Sequence, residues 1–354
     1  MFMRILMLVN WKIEYTNKIP EDKQSPDYLV PGVPYWFFKY FKNQDIEVDV
    51  EDVHTCSAIE NFEKNKLRFY ILQTLRVLPK LKKYDMVVSH GMQSGIVLCL
   101  LRRIFGKGKY KHVVFDIGAF NSARESGRAL KLMQFASKSL DGVIYHTESQ
   151  IDYYKKCHPW LLDKANFVSY GADSEYFEEI CDDEQPDEEE YILCAGYHQR
   201  DWNTLIKAYK NSMQKYKLML VGNSKLDVDD PMIIIKPAVS TAEFKKMIAN
   251  AKFCVLPLEY HNYSYGQMTL LQQMAMGKAV IVADVPSIQS YKKSKAFLTY
   301  EPENESDLGV ALNRLFINEE LTDTLGKEAS LAVKTMFNER IMAEEIEKCL
   351  LRFQ

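Results

Sequence analysis

The stretch Tyr263–Ile281, YSYGQMTLLQQMAMGKAVI, holds the residues whose order most suggests chemistry. A loop passes through Gly266 into an amphipathic helix, which stops near Gly277 and gives way to an apolar strand. The first turn of a helix leaves backbone N–H groups without partners, and the helix dipole adds positive potential there. A glycine at the entry lets the backbone approach a ligand closely, so the pattern is that of an anion site. Gln272 and Gln273 stand on this helix where a nucleotide-handling site would be expected to carry a carboxylate. The same pattern also describes a helix start whose small residue only serves packing.

Such a loop needs a rigid sheet behind it, and the chain supplies strand-length apolar runs from end to end. RILMLV, YDMVVSH, KHVVFDI, GVIYHT, ANFVSYG, YILCAG, KLMLVG, MIIIKP, KFCVLPL and AVIVAD read as strands. Helical patterns lie between them, among them 203–215, 241–251 and 267–277. Strands that are continuously apolar, separated by helices, indicate parallel sheets covered on both faces. The fold class expected is α/β, with two Rossmann-like doubly wound parallel-sheet domains.

The acidic, proline-containing run EEICDDEQPDEEE, 178–190, cannot bury a core and reads as a linker. It divides the chain into a domain over 1–177 and a second over 191–335, followed by a terminal helix over 336–354. Two such domains would face a ligand-binding cleft with the C-terminal ends of their strands.

At 354 residues the chain is long enough for two cores, and 47% hydrophobic with 26% charged residues excludes a disordered or fibrous protein. A net charge of −3 gives no bulk attraction to nucleic acid. Seven scattered cysteines without a CxxC pair fit buried thiols in a reducing compartment better than a disulfide framework or a zinc site. No stretch reaches the roughly 18 apolar residues that span a bilayer. The opening MFMRILMLVN reads as a core strand rather than a signal peptide. The expected location is cytoplasmic.

Charge is unevenly divided. Through Asp173 there are 25 Lys and Arg against 19 Asp and Glu, a balance of +6; the remainder has 20 against 29, or −9. Between Lys64 and Lys111, twelve basic residues face one acid, Asp85, with apolar and aromatic residues interleaved. Contact between 64–111 and the inner face of an anionic membrane is one reading; a solvated helix face is the other.

Four segments in order resemble the family 4 glycosyltransferases, which are retaining sugar transferases of the GT-B fold. They are ANFVSYGADSEYF, YILCAGYHQRDWNTLIKAY, STAEFKKMIANAKFCVLPLEY, and the stretch around Gly266 continued by GKAVIVADVPSI. The final segment NERIMAEEIEKCLLRF is similar to the family's last helix, which returns towards the first domain.

The resemblance implies that a hexose is moved from a nucleotide sugar to a hydroxyl acceptor without a metal or cofactor, a UDP-sugar being favoured over a GDP-sugar. Negative charge developing on the diphosphate must then be met by the protein. Arg200, between the Gly196 turn and the following helix, is the leading cation, because a guanidinium binds phosphate in a fork. Lys236 is a second. Tyr265, Gly266, Gln267 and Met268 would offer backbone N–H groups, and Thr269 a hydroxyl.

The family's two glutamates align with Ser264 and Gln272, so both carboxylates are absent. An amide can still bond ribose hydroxyls, with weaker, uncharged bonds. In LVPGVPYWFF, Gly32 corresponds to a glycine loop that relatives bring to the diphosphate, while Tyr35, Trp36, Phe37 and Phe38 read first as core. On the acceptor side, Asp116 stands where relatives carry a histidine; it either bonds the acceptor or donor sugar as a catalytic residue or caps a helix. Gly118 beside it allows close approach. His90, Gly91 and His146 end neighbouring strands, each histidine being a site candidate or a structural group.

The expected activity is therefore a retaining hexosyl transfer to a lipid-linked or cell-surface glycan. Two rivals remain: a catalytically degenerate GT-B binding or scaffold subunit, and a GT-B nucleotide-sugar epimerase or phosphorylase. A dinucleotide oxidoreductase is excluded, because NWKIEYTN after the first strand holds no GxGxxG turn.

Overall fold

A computed structural model describes 2–178, 190–196, 198–222 and 225–354, apart from the side chain of Asn121. Two compact units form: Met1–Ser169 with Asn262–Ser264 and Met342–Gln354, and Tyr170–His261 with Tyr265–Ile341.

In the first unit the strands are β1 (Met3–Leu8), β2 (Glu14–Tyr15), β3 (Tyr28–Leu29), β4 (Ile46–Glu51), β5 (Met86–His90), β6 (Lys111–Asp116), β7 (Gly142–Tyr145) and β8 (Ala165–Phe167). Six of them form one sheet in the order β4-β1-β5-β6-β7-β8, every pair parallel. β2 and β3 pair separately. The helices between them are α1 (Ser57–Phe62), α2 (Ile71–Val77), α3 (Met92–Phe105), α4 (Ala119–Ser122), α5 (Gly127–Ser137) and α6 (Gln150–Cys157). Tyr35, Trp36, Phe37 and Phe38 are all buried, as core aromatics should be.

The second unit holds β9 (Tyr191–Ala195), β10 (Lys217–Val221), β11 (Ile233–Lys236), β12 (Cys254–Leu256), β13 (Val280–Ala283) and β14 (Leu298–Tyr300). Their order is β11-β10-β9-β12-β13-β14, again all parallel. Its helices are α7 (Trp202–Lys210), α8 (Thr241–Asn250), α9 (Gln267–Ala275), α10 (Glu305–Ile317) and α11 (Glu319–Met336). β9, β12 and β13 are buried along their whole length, which is why they read as unbroken apolar runs. Each sheet is thus a Rossmann-like doubly wound layer. In the second, chain order reverses between β9 and β12, and ligands bind such sheets at that switch point.

The division between the units falls earlier than the end of Phe177. Ala172 N–H donates to the Phe337 carbonyl at 2.9 Å, and Phe177 is fully buried in the second core. Of the acidic run 178–190 read as a linker, 179–189 lie outside the described residues. The last helix, α12 (Glu339–Phe353), belongs from Met342 onward to the first unit. There the buried Glu347 carboxylate accepts from the backbone N–H groups of Lys42 and Asn43, at 3.0 and 2.8 Å. Among the described residues no helix is long and apolar enough to cross a membrane.

Candidate active site

At the switch point of the second sheet, the chain leaving β9 turns at Gly196 and enters α7 through Arg200 and Asp201. Asp201 caps α7 by accepting from Thr204 N–H at 3.0 Å. Arg200 forms an antiparallel bridge with Leu258, just beyond β12. Its side chain folds back over the turn: Nε donates to the Ala195 carbonyl (3.1 Å), an Nη to the His198 carbonyl (2.9 Å), and the other Nη to Thr269 Oγ1 (3.3 Å). Gly196, at φ +127, is required for this, since a Cβ there would lie 2.5 Å from the guanidinium. Arg200 is only 8% exposed, and burial pulls its pKa down. Among the described residues no carboxylate acts on it. All its acceptors are neutral, and three of its five N–H groups are used.

Thr269 brings α9 to the same place. Gly266 begins this helix at φ +74, and a Cβ on it would meet the Leu258 side chain at 2.7 Å, so only glycine fits without displacement. No side chain caps α9. The positive end of the helix and the buried guanidinium therefore meet around the Thr269 hydroxyl. Tyr265 is held by donation from its hydroxyl to the Glu259 carbonyl, and its ring packs edge-on against His261 at 5.6 Å. Met268 is half exposed on the first turn.

The remaining donor-side residues divide. Gln267 is buried, and its amide donates to the Ser287 carbonyl at 3.0 Å, so that side chain anchors the helix to its own unit. Gln272 is 4% exposed, and Gln273 is fully buried with neither amide atom hydrogen-bonded. Lys236 ends β11, the edge strand, on the same C-terminal side of the sheet as Arg200. Ser264 belongs to the first unit, where its hydroxyl lies 3.2 Å from that of Thr147.

In the first unit, Asp116 ends β6 with its carboxylate fully engaged. One oxygen accepts from Gly118 N–H (3.2 Å) and Phe120 N–H (2.8 Å), the other from the Tyr154 hydroxyl (2.6 Å) and the Gln150 amide (2.9 Å). Burial raises its pKa to about 6, against the lowering effect of those four bonds. The carboxylate holds the loop 118–123, where Ala119, Phe120, Ser122 and Ala123 all have positive φ. Gly118 itself faces open space.

His90 and Gly91 lie at that sheet's own switch point, between β1 and β5. His90 packs edge-on against Trp11 at 4.7 Å, and burial lowers its pKa to about 3. Its Nδ1 has no hydrogen-bond partner. His146 is buried with its Nδ1 2.7 Å from the Val168 carbonyl, and its pKa falls to about 4. Gly32 is not brought to this group; it lines cavities of about 470 and 460 Å³ beside Val48 and Asp49 of the edge strand β4. The sequence reading passed over Asn10 and Gln93, which lie beside Gly91, and Trp11, which packs on His90: the Asn10 amide donates to Gln93 Oε1 at 3.4 Å. The signal available was their place directly after β1 and β5.

Residues 189–318 match the family of glycosyl transferases, group 1. That span contains Arg200, Gly266, α9 and most of the second unit. Solved structures share the whole fold. Sucrose-phosphate synthase from Thermosynechococcus elongatus superposes with a TM-score of 0.68 at 16% identity, over 99% of this chain and 98% of that one. HepE of Anabaena, solved in complex with UDP, gives 0.67 at 13% identity, over 99% and 100%. The catalytic domain of starch synthase IV from Arabidopsis thaliana, bound to ADP and acarbose, gives 0.70 at 10% identity, over 100% and 99%. No curated protein matches the chain. The two Rossmann-like sheets are therefore those of a GT-B fold.

Proposed function

We propose that the protein is a retaining GT-B glycosyltransferase that moves a hexose from a nucleotide sugar to a hydroxyl of a lipid-linked or cell-surface glycan, in the cytoplasm. The observation that carries this is Arg200, a buried cation without a carboxylate, joined through Thr269 to the uncapped start of α9. A diphosphate at this point would accept the unused guanidinium N–H groups and those of the helix's first turn. Both stabilise charge that grows as the anomeric C–O bond breaks. Lys236 would add a more distant positive charge.

Retention follows a front-face route: the leaving phosphate oxygen takes the proton of the acceptor hydroxyl, whose oxygen bonds the anomeric carbon on the face being vacated. No protein nucleophile or metal enters this scheme. Asp116 is assigned a positioning role, because its four hydrogen bonds hold the loop after β6 and leave no lone pair for the acceptor. The uridine base is favoured; the HepE structures with UDP and with UDP-glucose support that choice.

Release of free nucleotide from UDP-, GDP- and ADP-sugars, compared between the wild type and Arg200→Ala, tests the reading. Release from one donor that disappears in the variant supports it. The neutral residues Ser264 and Gln272, and the bond of Ser264 to Thr147, favour a second reading, a binding subunit without turnover. Thermal stabilisation by a nucleotide, with no release on supplying any acceptor, would select that alternative.

A further inference from the structure

Twelve basic residues between Lys64 and Lys111 do not form one free face. Arg76 and Lys80 pair with Glu51, and Arg102 and Lys107 both pair with Asp141. A further group of cations outside those pairs, Arg103, Lys109, Arg128, Lys131 and Lys138, stands on the last turn of α3, the loop after it, and α5 with its C-cap. Between Gly91 and Leu140 the chain has nine Lys and Arg against two acids, Asp116 and Glu125. Asp116 is buried, and Glu125 is paired with Lys156.

Large apolar side chains project from the same place. Phe105 is 81% exposed and Ile104 65%, followed directly by Gly-Lys-Gly-Lys. On α5, Arg128, Lys131, Leu132, Phe135 and Lys138 share the exposed stripe at helical spacing, with Phe135 44% and Leu132 38% exposed. The two elements form one surface, because the Arg103 guanidinium sits over the Phe135 ring at 5.0 Å. Single exposed apolar residues are ordinary; four together, rimmed by cations, are not.

We propose that this α3–α5 face docks on an anionic lipid bilayer, Ile104, Phe105, Leu132 and Phe135 entering the interfacial region while the basic side chains meet lipid phosphates. The charge selects the partner: an apolar protein groove would not need the flanking lysines and arginines, whereas an anionic headgroup layer does. Lys and Arg reach outward while their stems cover the apolar patch. A cavity of about 160 Å³ adjoins the stripe at Leu132, with Arg68 and Arg124 in its wall, which extends the positive surface. Docking by this face is separate from sugar transfer and needs no bound nucleotide.

Flotation of the full chain with vesicles of phosphatidylglycerol and phosphatidylcholine, beside vesicles of phosphatidylcholine alone, measures the partition directly. Binding is expected to the anionic vesicles and to fall by about tenfold or more in 0.5 M salt. The double variant Ile104→Ser/Phe105→Ser and the charge reversal Lys109→Glu/Lys131→Glu should each reduce it by about tenfold or more. Met213→Ser, at an apolar residue 59% exposed in the second unit, should leave it unchanged. All these sites are on the surface, so a thermal scan should show every variant folded. Absence of binding to anionic vesicles, or binding that both double variants retain, overturns the proposal. Equal binding to neutral vesicles does so as well. A wild-type dimer in light scattering that becomes monomeric in Ile104→Ser/Phe105→Ser, without vesicle binding, would assign the face to a second copy instead.

Discussion

Each unit buries an ionisable side chain where a central strand gives way to its loop, and the two are treated in opposite ways. Asp116, at the end of β6, has four donors for about four lone-pair sites, so its hydrogen-bonding capacity is full. Arg200, after β9, has three neutral acceptors for five N–H groups, so capacity and charge are both left over. A buried charge that is fully bonded by its own unit is a structural device. One that is only partly bonded, beside a helix start, is arranged for a counter-ion from outside. The two therefore make different demands on mutation.

The contrast breaks most readily at Arg200. Replacing it with alanine should lower nucleotide release from the preferred sugar donor by about 10²–10³-fold, the usual cost of one charge-stabilising group. Arg200→Lys keeps the charge but loses the fork, and should recover only part of the rate. Steady-state kinetics on both variants, with a thermal midpoint for each, separates lost chemistry from lost folding. Equal rates in wild type and Arg200→Ala would remove Arg200 from the site.

At Asp116 the expected effect is on stability rather than rate. Its pKa in the folded chain is raised to about 6 from the ordinary 3.8, so the folded form holds the proton more tightly than the unfolded one. Stability from this group is therefore present below about pH 4 and declines as pH rises towards 6, by about 3 kcal/mol in all. Asp116→Asn removes that decline. The difference in unfolding free energy between variant and wild type should rise by up to about 3 kcal/mol between pH 4 and pH 6, then stay level. Buried His90 and His146, with pKa values lowered to about 3 and 4, act in the opposite direction in both proteins and cancel in the difference. Parallel curves, or a rate loss as large as that at Arg200, would make Asp116 a catalytic group.

Gly266→Ala tests whether the start of α9 is as exacting as the guanidinium. A side chain at φ +74 is strained, and the added Cβ must push Leu258 aside. A loss of about 2 kcal/mol is expected, or roughly 5 °C in the unfolding midpoint, with weaker nucleotide binding. Unchanged stability would mean that the loop readily takes another path.

Much of this frame was legible because buried parallel strands advertise themselves. β9, β12 and β13 are unbroken apolar runs, and turn residues follow them where Arg200 and Gly266 stand. β4 was missed because it is an edge strand: in IEVDVE apolar and acidic residues alternate, which dilutes the signal. β14 is also an edge strand, and only three residues long. Tyr170–Phe177 read as the close of the first domain, but backbone bonds to the segment near Phe337 decide their allegiance, over a distance no local pattern reports. The site followed the same rule. That Arg200 reaches Thr269 could not be read from spacing, nor could the saturation of Asp116 by Gln150 and Tyr154 on α6. Charge was legible only in part, since Glu51 and Asp141, far along the chain from several of their partners, pair with four of the cations between Lys64 and Lys111.

The finest test of the donor side is Gln272→Glu. Gln272 is buried in the second turn of α9, at the position where the resemblance leads one to expect a glutamate. If Gln272 bonds the ribose, a carboxylate there would turn a neutral hydrogen bond into a charge-assisted one, roughly twice as strong. The gain is offset by the cost of placing a charge at a position 4% exposed. The expected outcome is tighter UDP binding by about three- to fivefold, or under 1 kcal/mol, with little change in unfolding midpoint. Calorimetric titration of UDP into both proteins measures it. Weaker binding together with a lowered midpoint would place Gln272 in the packing of α9, and leave Arg200 and the helix start to hold the nucleotide through its phosphates alone.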